Sequence, residues 1–90
     1  MTTFAVPTDE VVASRHDAGV VFLHVPKGRL FGSNRTGGDI WERLAQSMSL
    51  SAIAEDISAR YHVSRETAWS DTVRFVAALE REQLVERRRA

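Results

Sequence analysis

An α+β fold, with an N-terminal three-stranded antiparallel sheet followed by three helices, is predicted by three observations. Between Val11 and Ser33 the chain reads VVASRHDAGVVFLHVPKGRLFGS, in which β-rich runs alternate with turn-forming residues. Beyond Asn34 the apolar residues move to helical spacing and stay there. No second block of strand character follows, so strands come first and helices after. The expected division is an N-terminal lead over residues 1–7, one folded domain over 8–86 and a basic tail over 87–90.

Each element has its own signal. The first two strands are separated by His16-Asp17-Ala18-Gly19 and the third, Arg29 to Ser33, follows a turn at Pro26-Lys27-Gly28, which makes a meander. A first helix begins near Asn34 or Thr36, whose side chains can accept from free backbone N–H groups, and buries Ile40, Trp41 and Leu44. Gly37 and Gly38 weaken its first turn. A second helix runs from Leu50 to Tyr61 behind Ser49, with Leu50, Ile53, Ala54, Ile57 and Tyr61 in one stripe. A third begins behind Ser64, carries Glu66 where the helix dipole favours an acid, and extends to about Glu82. Leu84 and Val85 fold back onto the core, and Arg87, Arg88 and Arg89 close the chain as a solvated run.

The third helix carries more apolar surface than one core requires. Advancing about 100° per residue, Ala68, Thr72, Phe75 and Leu79 form the core side, whereas Trp69, Val73 and Val76 lie on a shoulder with Ala77 further round. Either that shoulder packs under the strands, or it is one wall of a trough in which small residues beside an indole admit a foreign side chain. The strand Arg29-Leu30-Phe31-Gly32-Ser33 supplies the second wall, because the last strand of a meander is an edge with unpaired N–H and C=O groups. Lys27 and Arg29 either guard that edge against aggregation or hold acidic side chains of a bound peptide.

Composition narrows the function classes. The chain has 90 residues, 43 % of them hydrophobic and 27 % charged, enough for one small globular domain and too apolar for a disordered one. Lys and Arg number 12 and Asp and Glu number 12, so no net positive field draws it to nucleic acid or to an anionic membrane. With no cysteine, disulfides, thiolate metal sites and cysteine nucleophiles are excluded. The first ten residues lack a signal-peptide pattern and no stretch approaches a membrane span, so a soluble cytoplasmic protein is expected.

Catalytic and metal chemistry find no support. His16, His24 and His62 fall in three different elements without metal-ligand spacing, and the glycine-rich run from Gly28 to Gly38 lacks the Gly-Lys-Ser/Thr ending of a phosphate loop. Ser33, Ser49, Ser64 and Ser70 have no evident base partner. The expectation is therefore a non-enzyme without metal or cofactor. Residues 50–61, the turn at His62 and Val63, and the helix behind Ser64 have the spacing of a helix-turn-helix. Arg65, Glu66, Asp71 and Arg74 at the exposed start of that helix sum to zero charge, which speaks against phosphate contact. A structural subunit that pairs its own edge strands with a second copy is the other alternative.

The whole pattern resembles the PqqD family, small domains also called RiPP recognition elements. The likeness is carried by VVASRHDAGVVFLHVPKGRLF, by Asn34-Arg35-Thr36-Gly37 followed by Ile40-Trp41, by Ser49-Leu50-Ser51-Ala52-Ile53-Ala54, and by Asp71 with Phe75, Leu79 and Leu84. It spans about residues 8 to 86. The resemblance implies a winged-helix-like fold that binds the leader segment of a ribosomally synthesised precursor peptide as an added strand and presents it to a modifying enzyme or a leader peptidase. The binding role then falls on Arg29, Leu30, Phe31, Gly32 and Ser33 and on Trp69, Val73, Val76 and Ala77. Asn34, Thr36, Ile40, Trp41 and Phe75 match positions that keep the fold. Ser33 stands where an apolar residue usually precedes the asparagine, and Ala45-Gln46-Ser47-Met48 replaces a turn that usually contains Asp-Gly, so the leader preference is expected to differ. The likeness is closer to stand-alone members of lasso-peptide clusters than to the member that serves pyrroloquinoline quinone synthesis, which is the alternative assignment.

Overall fold

The structure is a computed structural model describing residues 3–89. In chain order its elements are β1 (Thr3–Pro7), β2 (Val11–His16), β3 (Gly19–His24), β4 (Arg29–Ser33), α1 (Arg35–Ala45), α2 (Leu50–Tyr61), α3 (Arg65–Arg81) and β5 (Val85–Arg89). Strands β2, β3 and β4 form the expected antiparallel meander, and the three helices follow it. None of the helices is long and apolar enough to cross a membrane, among the described residues.

Alternation sets the faces of the meander. Val20, Phe22 and His24 of β3 are buried against the helices, while Val21 between them is 40 % exposed. The β2–β3 turn depends on Gly19, whose φ is +152° and where a Cβ would stand 1.9 Å from the Ser33 carbonyl oxygen. Only a residue without a side chain lets the start of β3 pass so close to the end of β4.

The helices begin where their caps predict. Asn34 accepts from the Gly37 N–H, Ser49 from that of Ala52, and Ser64 from that of Thr67. Ile40, Trp41 and Leu44 of α1 meet Leu50, Ile53, Ala54 and Ile57 of α2 in one core, and Phe22 meets the Trp41 ring edge-on at a centroid distance of 4.6 Å. Each fully buried Ile or Leu contributes about 2 kcal/mol. Between α2 and α3 the chain turns sharply through His62, in left-handed conformation with φ of 54°.

Two expectations are corrected. The chain does carry strand structure after the helices: β5 pairs antiparallel with β1, from Thr3 opposite Arg89 to Pro7 opposite Val85. Arg87 and Arg88 are therefore exposed as expected but belong to a strand rather than a tail, and Arg87 binds Glu80 of α3 at 2.6 Å. The pairing joins the two ends of the chain, and a segment reading VERRR has only Val85 to mark an inward face, so no local pattern reveals it. Leu84 and Val85 do fold onto the core as expected, at 1 % and 4 % exposure. The second correction concerns α3, whose buried residues are Ala68, Thr72, Val76 and Leu79. Val76 takes the core place expected of Phe75, which is only half-buried.

A charged knot ties β2 to α1 and α2. Asp39, with a side chain 2 % exposed, accepts from Arg15 Nη2 at 2.7 Å, from Arg60 Nε at 3.0 Å and from the Tyr61 hydroxyl. Burial pushes its carboxyl up, but the hydrogen bonds from Tyr61 and Arg15 and the charges of Arg60 and Arg15 outweigh that and hold it below the usual carboxylate range.

Candidate peptide-binding groove

Strand β4 pairs with β3 along one edge, and its other edge has no strand partner among the described residues. That edge therefore offers backbone donors and acceptors to an extended chain. Along β4, Phe31 pairs with the inward Phe22, so Arg29, Phe31 and Ser33 share the helix-facing side while Leu30 and Gly32 turn outward. Leu30 is accordingly 70 % exposed.

Facing this side, α3 presents Phe75, Ala78, Leu79 and Glu82, at i, i+3, i+4 and i+7 on one flank. Between the two walls runs a groove of about 350 Å³, floored by Phe22 and Leu84 and lined by Phe31, Gly32 and Ser33 from β4. Gly37 of α1 sets how closely the walls meet at one end: a Cβ there would lie 2.8 Å from Ser33 Cβ and 3.0 Å from Phe75 Cε1. The glycine expected to weaken the first turn of α1 thus lets the end of β4 and the Phe75 ring come together.

The groove is apolar in its middle and charged at one end. There Arg29 Nη1 lies 3.3 Å from Glu82, which caps α3, and the Arg29 guanidinium stands 5.0 Å from the centre of the Phe31 ring. At the opposite end, past Phe75 and Asn34, it continues into a depression of about 400 Å³ between the start of α1 (Thr36, Gly37, Ile40) and Asp71 and Arg74 of α3. A third depression, lined by Glu66, Thr67, Trp69, Ser70, Asp71 and Arg74, adjoins the second through Asp71 and Arg74.

The expected site residues divide between these places. Arg29 to Ser33 do form the open strand, and Phe31, Gly32 and Ser33 line the groove. Trp69, Val73, Val76 and Ala77 do not line it. Val76 is fully buried, so no guest reaches it; Trp69 is 45 % exposed at the third depression; Val73 and Ala77 share its shoulder. The reason is angular: the groove lies on the other side of the Ala68–Thr72–Leu79 stripe, where Phe75, Ala78 and Glu82 fall. Those three were missed, although a half-buried aromatic beside Ala78 offers the same pairing of a large ring with a small neighbour that drew attention to Trp69.

A small α+β domain with an uncovered strand edge beside an apolar helix flank is the class these features define. The chain matches the family described as coenzyme PQQ synthesis protein D (PqqD) over residues 19–85, and it belongs to that family. Among solved structures it is similar to one described as TbiB1 in complex with the TbiA(beta) leader peptide, with 34 % identity, a TM-score of 0.84, and coverage of 90 % of this chain and 94 % of that one. It shares its fold with a lasso peptide synthetase B1 complexed with the leader peptide, at 24 % identity and a TM-score of 0.84, covering 91 % and 96 %. No curated protein matches.

Proposed function

We propose that this chain is a non-catalytic adaptor that binds the leader segment of a ribosomally synthesised precursor peptide and presents it to a maturation enzyme. The observation that carries the reading is the open edge of β4 beside the Phe31–Phe75–Ala78 groove. A leader segment adds to β4 as a further strand, its backbone completing the free hydrogen bonds and every second side chain entering the groove. Anchors spaced i, i+2 meet Phe31 and Ser33 from one side and Phe75 and Ala78 from the other. The similarity to TbiB1, whose structure holds a leader peptide, supports this use of the fold.

Presentation draws support from the outer face of the meander. Val12, Leu23 and Leu30 stand opposite one another across the three strands, and Val21 lies beside them. Val12, Val21 and Leu30 are 58 %, 40 % and 70 % exposed, an apolar surface continuous with the strand that receives the leader. A leader peptidase or modifying enzyme seated there touches both the adaptor and the outward side chains of the guest. Lasso-peptide maturation is the pathway we favour, on the resemblance to stand-alone members of such clusters. The reading frames beside the gene separate it from a role in pyrroloquinoline quinone synthesis.

The test is calorimetric titration of leader peptides, those encoded beside this gene and the TbiA(beta) leader, into the wild type and into Ala78→Trp, which fills the groove from an accessible position. Binding to the wild type that is lost in the variant is the expected result. Equal affinities for both proteins would place the guest elsewhere.

A further inference from the structure

The ion pair at the end of the groove joins its two walls. Arg29 is the first residue of β4 and shares the groove side with Phe31 and Ser33, and Glu82 closes the groove flank of α3. Their side chains are 57 % and 33 % exposed, so water reaches the pair while the groove is empty. The Arg29 guanidinium also stands over the Phe31 ring, covering part of the apolar wall.

We infer that Arg29 and Glu82 read the charge of one guest residue and select an acidic side chain at the position opposite Arg29. The inference rests on the added-strand reading above. In an added strand the residue facing Arg29 has its Cβ about 5 Å away on the same side, within reach of both charges and screened from water by the guest itself.

The sign follows from what each alternative leaves behind. Arg29 engages Glu82 through Nη1, and a guanidinium carries five N–H donors in a planar fork. A guest carboxylate therefore docks on the free edge of that fork while Glu82 stays in place, which gives a row of carboxylate, guanidinium and carboxylate across the groove. A guest lysine or arginine instead has to draw Glu82 away from Arg29. It then stands beside the Arg29 cation, with the exposed Lys27 only two residues earlier in the chain. Like charges so placed cost binding energy. The guest signature is an acid two residues from an apolar anchor, the anchor facing Phe31 and the acid facing Arg29.

The experiment selects strand-length peptides, randomised at every position and displayed on a cell surface, against three proteins: the wild type, Arg29→Gln, and the reversed pair Arg29→Glu with Glu82→Arg. Peptides enriched on the wild type should carry Asp or Glu at one position, two residues from an apolar one, and the reversed pair should enrich Lys or Arg there. Arg29→Gln should bind the wild-type peptides about fivefold more weakly and lose the preference, which decides the question even if the reversed pair folds poorly. Enrichment of the same peptides by wild type and variants, or of a neutral residue at that position, overturns the inference while leaving the groove as a binding site. Enrichment of nothing by the wild type overturns the adaptor reading, and the inference with it.

Discussion

Arg15–Asp39 and Arg29–Glu82 both join a strand to a helical element through a guanidinium and a carboxylate, and they are built for opposite ends. At the first, the carboxylate is 2 % exposed and takes Arg15, Arg60 and the Tyr61 hydroxyl, closing the seam between β2, α1 and α2. At the second, the carboxylate is 33 % exposed and, among the described residues, takes Arg29 alone, across a groove that stays open. Losing a partner from the first leaves a buried carboxylate with its charge less fully compensated, whereas water replaces the second at little cost. The same pair of residue types is a fixed tie in one place and an exchangeable contact in the other, and the number of partners and the depth of burial decide which.

The largest expected effect tests the fixed tie. Asp39→Asn should destabilise the fold by about 3 kcal/mol in denaturant titration, since the charge-assisted bonds that the buried carboxylate accepts from Arg15 and Arg60 are lost. The pH dependence has a definite sign. The folded carboxyl lies below its unfolded value, so its contribution is complete above the ordinary carboxylate range near about pH 4. It is lost as the pH falls through the lower folded value. The acid limb of the wild-type stability curve should flatten in Asp39→Asn, and an unchanged limb would remove the knot from the account of stability.

Next in size is the groove. Phe75 is half-buried and shared by the groove and its neighbouring depression, so Phe75→Ala should weaken guest binding by about 2 kcal/mol. It should lower stability by less than a fully buried phenylalanine would, because one side of the ring already faces the groove. A loss of stability without a loss of affinity would make Phe75 a core residue only. Smaller again is the exchangeable pair: Glu82→Gln should change the unfolding free energy by less than about 0.5 kcal/mol, measured by thermal melting at low and high salt. A change as large as that of Asp39→Asn would erase the contrast between the two pairs.

What the sequence made legible follows the range of the interactions involved. The three capped helices, the meander and the open strand β4 all rest on contacts between neighbouring segments of the chain, and Asn34, Ser49 and Ser64 announce the helix starts by chemistry alone. The β1–β5 pairing was not legible, because it depends on backbone bonds between the two ends of the chain and on side chains as small as Ala5. Nor was the Asp39 knot, whose partners lie 24, 21 and 22 residues away in sequence and meet only once β2 and α2 are placed. On α3 the apolar arc was visible, yet periodicity does not say which side of the stripe the sheet leaves uncovered. That choice depends on where β4 ends, and β4 ends where Gly19 and Gly37 allow it to approach α1 and Phe75.

The smallest expected effect bears on that same choice. Trp69 is one of the most exposed large apolar residues, and a residue of that kind is a natural anchor for a partner. Its depression meets the groove by way of Asp71 and Arg74 and then Phe75 and Asn34, so a guest confined to β4 does not touch it. Trp69→Ala should accordingly shift leader affinity by less than about twofold, well under the loss from Phe75→Ala. A comparable loss from both variants would mean that the guest runs on from the end of β4, past Thr36 and Arg74, along the outer side of α3. The recognised segment would then be longer than a strand, with its far part held by a tryptophan face instead of a strand edge.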